Sequence, residues 1–139
     1  MTLQEKAYMA GIIDGEGTVT LSRAHSNEMP APKVSVANNN LQLLRWIKNK
    51  AGSGVIIRRA KREPQHGVQY VIDISDNAAL ALLVEIKEFL LIKKPHAELL
   101  LSRYKAVTPR NGRYTKELLA KKMELVAQIR ALNQHMVIA

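Results

Sequence analysis

Two carboxylates, Asp14 and Glu16, stand two residues apart among glycines in Met9-Ala10-Gly11-Ile12-Ile13-Asp14-Gly15-Glu16-Gly17. Their setting is a helix end. Thr2 and Glu5 form a T-x-x-E capping box that starts a helix near residue 3. Gly15 and Gly17 permit a tight exit into the alternating Thr18-Val19-Thr20-Leu21-Ser22. Carbonyls at that end already carry partial negative charge, so acids are unfavourable there unless a cation joins them. Carboxylates and carbonyl oxygens grouped this way suit a hard divalent metal. Along the same helix Ala7, Gly11 and Gly15 recur every four residues, and Ala10 stands four before Asp14. A helical glycine costs about 1 kcal/mol relative to alanine, so the ridge implies a second backbone packed close against it.

The elements that must position these acids follow from periodicity and punctuation. The first helix covers about residues 3–15 and the first strand about 17–24, followed by a polar, proline-punctuated hairpin loop over 24–32. A second strand over 33–37 is stopped by Asn38-Asn39-Asn40, which offers an N-cap to a short helix over 41–51 closed by Gly52. Strand 3 runs from Val55 to about Arg62 and strand 4 over 68–74, joined by a turn over 63–67. Ser75, Asp76 and Asn77 cap a helix predicted through about Ile92; Pro95 opens another toward Val107, and a last helix follows Thr115. Two hairpins separated by a helix make a four-stranded antiparallel sheet with helices on one face. The expected class is α+β, ordered α-β-β-α-β-β-α with further C-terminal helices, as one domain over 1–139. The small ridge has no twin within the chain, so its natural partner is the same helix of a second copy about a two-fold axis.

Residues 9–17 resemble the LAGLIDADG signature of homing endonucleases, with Met9 and Ile12 at the leucine positions, Gly15 at the second alanine and Glu16 at the second acid. Phe89-Leu90-Leu91-Ile92-Lys93-Lys94, followed by His96-Ala97-Glu98-Leu99, resembles the family's segment with an active-site lysine. Ala131-Leu132-Asn133 resembles the end of the last helix in single-motif members. The resemblance implies a saddle-shaped sheet, a homodimer, and a site-specific double-strand DNA endonuclease acting on a long pseudo-palindromic target. It implies Mg²⁺, with Mn²⁺ or Ca²⁺ substituting in binding and Ca²⁺ not supporting cleavage. An intron-encoded origin is implied by the resemblance alone. Glu16 and the Gly15 carbonyl become the metal ligands; Asp14 joins Ala7, Ala10, Gly11 and Gly15 at the junction and dimer interface. Lys93, or Lys94 one register on, falls near the scissile phosphate, and Asn38 or Asn39 takes the place of a polar residue that orients a water. An RNA-splicing maturase or a DNA-binding regulator on the same scaffold is the alternative.

If Val19, Leu21, Val34, Val36, Tyr70, Ile72 and Ile74 face the helices, the opposite face carries Thr18, Thr20, Ser22, Lys33, Ser35, Gln69, Val71 and Asp73. Strand 3 is ambiguous in register: one phase exposes Ile57, Arg59 and Lys61, the other Arg58 and Arg62, and comparison with the family favours the first. Such a face suits the major groove. Arg23, Arg58 and Arg62, with Lys116, Lys121 and Lys122, are expected at phosphates. Twenty-one lysines and arginines against 12 acids give a net charge of +9, which points to an anionic partner with nucleic acid ahead of membrane. The absence of cysteine excludes disulfides and thiolate zinc sites. No small-molecule substrate, targeting signal or membrane-spanning run is read, so a cytoplasmic protein is expected.

Overall fold

In the computed structural model, which describes residues 1–23, 25–59 and 67–138, the capping box closes as its sequence dictates. Thr2 Oγ1 accepts from the Glu5 amide at 3.1 Å, the Glu5 carboxylate accepts from the Thr2 amide at 2.8 Å, and α1 runs Leu3–Glu16. Its exit requires Gly17, where an added Cβ would lie 2.9 Å from the Ile13 backbone. The chain then forms β1 (Gly17–Ser22), β2 (Ala31–Asn38), α2 (Leu41–Ala51), β3 (Val55–Arg59) and β4 (Gln69–Ser75). Three helices complete it: α3 (Asp76–Ile86), α4 (Lys94–Arg103) and α5 (Lys116–Ile138). Asn40 caps α2 by accepting from the Leu43 amide at 3.2 Å, and Gly52 ends it at φ 72°, where a side chain would be strained.

Among the described residues the strands form one antiparallel sheet in the order β1-β2-β4-β3. Val19, Leu21, Val34, Val36, Ile72 and Ile74 are buried on one face, in one core with Leu44, Ile47, Leu83, Ile86, Leu125 and Ile129 of the helices. Burying a side chain of this size stabilises by about 1.5–3 kcal/mol, so this alternation alone fixes which face is free. The free face is laid out in rungs: Thr18–Ser35–Asp73–Val55, Thr20–Lys33–Ser75 and Ala37–Val71–Ile57. No described helix is long and apolar enough to cross a membrane.

Three expectations are corrected. The helix predicted through Ile92 ends at Ile86; a 3₁₀ turn covers Lys87–Phe89, and Leu90 is extended at φ −74°, ψ 137°. The amides of Leu91 and Lys93 bind Asp14 instead, a tertiary capture that overrides the helical pattern. Ala10 is fully buried with Met9 and Ile13 on the core side of α1, a different face from Ala7, Gly11 and Gly15, and so takes no part in the open ridge. Lys122 is also fully buried and cannot meet phosphates. Lys61 and Arg62 lie outside the described residues.

Candidate active site and nucleic-acid interface

Glu16 is the last residue of α1, exposed where the helix hands over to β1, and Asn38 ends the neighbouring β2. Register brings the two together: Gly17 pairs with Val36, so Glu16, one residue before that rung, and Asn38, two residues past it, converge. The Asn38 amide nitrogen donates to Glu16 Oε2 at 2.7 Å, while its Oδ1 accepts from the Asn40 amide at 2.7 Å. Held at both ends, Asn38 orients the carboxylate. Asn39, the other candidate, makes no such contact and is exposed.

Asp14 takes a different role. Its Oδ2 accepts from the Leu91 amide at 2.8 Å and its Oδ1 from the Lys93 amide at 2.9 Å. The Lys93 ammonium donates to the Asp14 backbone carbonyl at 2.9 Å, satisfying one of the oxygens that a helix end leaves without a partner. Lys93 is buried; burial lowers its pKa, and the Asp14 carboxylate beside it opposes that shift. Lys94 turns instead to Glu88 at 3.6 Å, so geometry separates the two lysines. Asp14 is therefore the structural acid of the pair, and Glu16 is the one left facing outward.

Close by, His96 is buried with neither ring nitrogen hydrogen-bonded among the described residues. Burial and the Lys93 cation hold it below the usual imidazole range, opposed by the Asp14 carboxylate. Asn133 lies beside it outside hydrogen-bonding geometry and donates to the Val19 carbonyl at 3.3 Å. From the sequence a histidine just after a helix-opening proline reads as either structural or exposed, and the burial selects the structural alternative.

On the free face Thr20, Ser22, Lys33, Ser35 and Asp73 are half-buried, and Ile57, Arg59 and Gln69 are exposed, as is Arg23 in the loop beyond β1. The exposure of Val55 and Ile57 fixes the phase of β3 as the one that also presents Arg59. Val71 shares the face but is 5% exposed, too covered to offer much contact. Arg58 is exposed on the other side of the strand, opposite Tyr70.

Among the described residues no three histidine, aspartate or glutamate side chains gather. One copy offers the Glu16 carboxylate and the adjoining Gly15 carbonyl, a hard oxygen donor set that fits a divalent ion in kind but falls short in number. On α1, a Cβ built at Gly11 or Gly15 meets nothing within 4 Å, so neither glycine is required by contacts inside one copy.

No family model and no curated protein matches the chain. Solved structures do. The homing endonuclease I-CvuI, in complex with its target in the presence of Ca, superposes with a TM-score of 0.75 at 17% identity over 93% of this chain and 82% of that one. An I-CvuI complex in Mg with the DNA not cleaved gives a TM-score of 0.74 at 17% identity and the same coverage. The archaeal intron-encoded homing endonuclease I-Vdi141I, complexed with DNA, gives 0.66 at 20% identity over 93% and 84%. The LAGLIDADG meganuclease I-AabMI, bound to uncleaved DNA, gives 0.68 at 22% identity over 88% of this chain but 43% of its own. The chain has the fold of the LAGLIDADG homing endonucleases.

Proposed function

We propose that this chain, built on that fold, is a site-specific double-strand DNA endonuclease that acts as a homodimer with a divalent metal ion. The observation that carries the reading is Glu16, oriented by Asn38 at the end of a helix whose glycine ridge has no partner within the copy. Leu91 and Ile92, exposed beside Asp14 where the ridge ends, add apolar surface to the same side. Two copies meeting along the ridge bring two Glu16 carboxylates and two Gly15 carbonyls together, completing in number what one copy supplies in kind. Mg²⁺ is the ion that suits these oxygens; at the scissile phosphate a divalent ion supplies charge neutralisation and a more acidic water. Asn38 keeps Glu16 aimed and adds an amide able to orient a water. Lys93, two residues past the Leu91 contact to Asp14, holds positive charge beside Asp14. The free sheet face lies along the DNA, with Thr20, Ser22, Lys33, Ser35, Ile57, Arg59 and Gln69 in the groove and Arg23 toward the backbone.

The test is Glu16→Gln on a duplex site recovered by selection from a randomised pool. Cleavage in Mg²⁺ should fall by at least about a hundredfold, the scale of losing one transition-state charge contact, with binding in Ca²⁺ retained. Unimpaired cleavage by the variant would remove Glu16 from the chemistry. Binding without cleavage by the unaltered protein would favour a regulator or maturase on the same scaffold.

A further inference from the structure

Asp73 stands on the free face, yet both oxygens of its carboxylate are engaged. The Ser35 hydroxyl donates to Asp73 Oδ1 at 2.8 Å, and the Lys33 ammonium lies 3.4 Å from Oδ2. Ser35 sits directly across from Asp73 in the β2–β4 register and Lys33 one diagonal away, so both contacts follow from strand pairing. A carboxylate can only accept hydrogen bonds, so the Ser35 proton must point at Asp73. A serine on a DNA-reading surface is ordinarily ambiguous, able to donate to one base edge or accept from another. Here its proton is committed, and its remaining lone pairs accept. Lys33, beside it, only donates.

We infer that Asp73 is a positioning residue that makes Ser35 an obligate hydrogen-bond acceptor next to the Lys33 donor, so that one position in each half-site prefers an amino base to a keto base. The inference rests on the endonuclease reading and sharpens it. Adenine N6 and cytosine N4 present donors in the major groove, whereas guanine O6 and thymine O4 present acceptors at the equivalent place. An acceptor-only Ser35 pairs with the first two and meets the second two lone pair to lone pair. Lys33 then takes a neighbouring acceptor such as a purine N7.

Base preferences of duplexes bound from a randomised pool decide it, comparing the unaltered protein with Asp73→Asn and Ser35→Ala. The unaltered protein should favour adenine or cytosine over guanine or thymine at one position per half-site by on the order of tenfold. An asparagine can turn its nitrogen or its oxygen to Ser35, which frees the hydroxyl to point either way. Asp73→Asn should therefore bring that ratio to about twofold or less at this position alone, and Ser35→Ala should erase the preference at the same position. An unchanged profile in Asp73→Asn, a loss spread evenly over the whole site, or effects of the two variants at different positions would each overturn the inference while leaving the endonuclease reading intact. Failure of the unaltered protein to enrich any sequence would sink that reading and this one with it.

Discussion

Lys122 shows what a single residue can cost and what surrounds it to limit that cost. Its ammonium donates to Thr108 Oγ1 at 2.7 Å and to the Tyr114 hydroxyl at 3.2 Å, and sits 4.1 Å from the centre of the Tyr104 ring. Burial pushes it down to about 8 from the ordinary 10.5. Between those values the unfolded chain holds the proton and the folded chain has released it, so stability should rise with pH from about 8 to 10.5. The rise is bounded at about 3 kcal/mol, and the ring face works against it by favouring the cation. Burial raises Tyr104, which pulls stability the other way once ordinary tyrosines ionise. A difference measurement separates the two: unfolding free energies of the unaltered protein minus those of Lys122→Met should climb across that window. A flat or falling difference would mean that the tyrosine cage keeps the lysine charged.

At the scale of the element, α1 is two helices in one. Its core side, Met9, Ala10 and Ile13, is explained entirely by this copy; the Gly11 and Gly15 side is explained by nothing in it. Gly11→Ala should therefore raise the stability of the isolated copy by roughly 0.5–1 kcal/mol, the ordinary helical gain. Gly11→Leu should weaken self-association at least about tenfold while the copy stays folded, read by sedimentation and by urea unfolding. Equal self-association by Gly11→Leu and the unaltered protein would place the dimer contact elsewhere. Much of this element was legible in the residues, because a capping box, a four-residue glycine spacing and a glycine exit are local signals. The α2 helix was legible for the same reason, with Asn40 and Gly52 marking its ends. What the residues hid was non-local. The amides of Leu91 and Lys93 are drawn to an acid 77 and 79 positions away, and no helical periodicity over 77–92 records that pull. Ala10 is hidden for another reason: it shares the buried side of α1 with Met9 and Ile13, and a small residue carries no apolar bulk to mark that side in the sequence. Lys122 was misread because its cage comes from Tyr104, Thr108 and Tyr114, outside its own helix.

For the whole molecule, charge and shape have to be weighed together. A net charge of +9 draws any polyanion, so attraction alone cannot distinguish a sequence reader from a merely basic domain. The sheet makes the distinction testable: Lys33 is paired to Asp73 on the free face, while Arg23 stands exposed in the loop beyond β1. Phosphate contacts release counterions, and a dimer that neutralises six to ten phosphates should lose about 10³–10⁵ in affinity between 50 and 200 mM salt. Arg23→Ala should flatten that salt slope by about two for the dimer, one contact per copy, and weaken all sequences alike. Removing an exposed free-face side chain such as Arg59 should instead, on the proposed reading, relax the preference at one base pair per half-site, since base contacts carry the sequence information. Titrations of selected and scrambled duplexes at several salt concentrations separate the two kinds of residue. If Arg59→Ala weakened both duplexes equally, the free face would be a charged platform and not a reader.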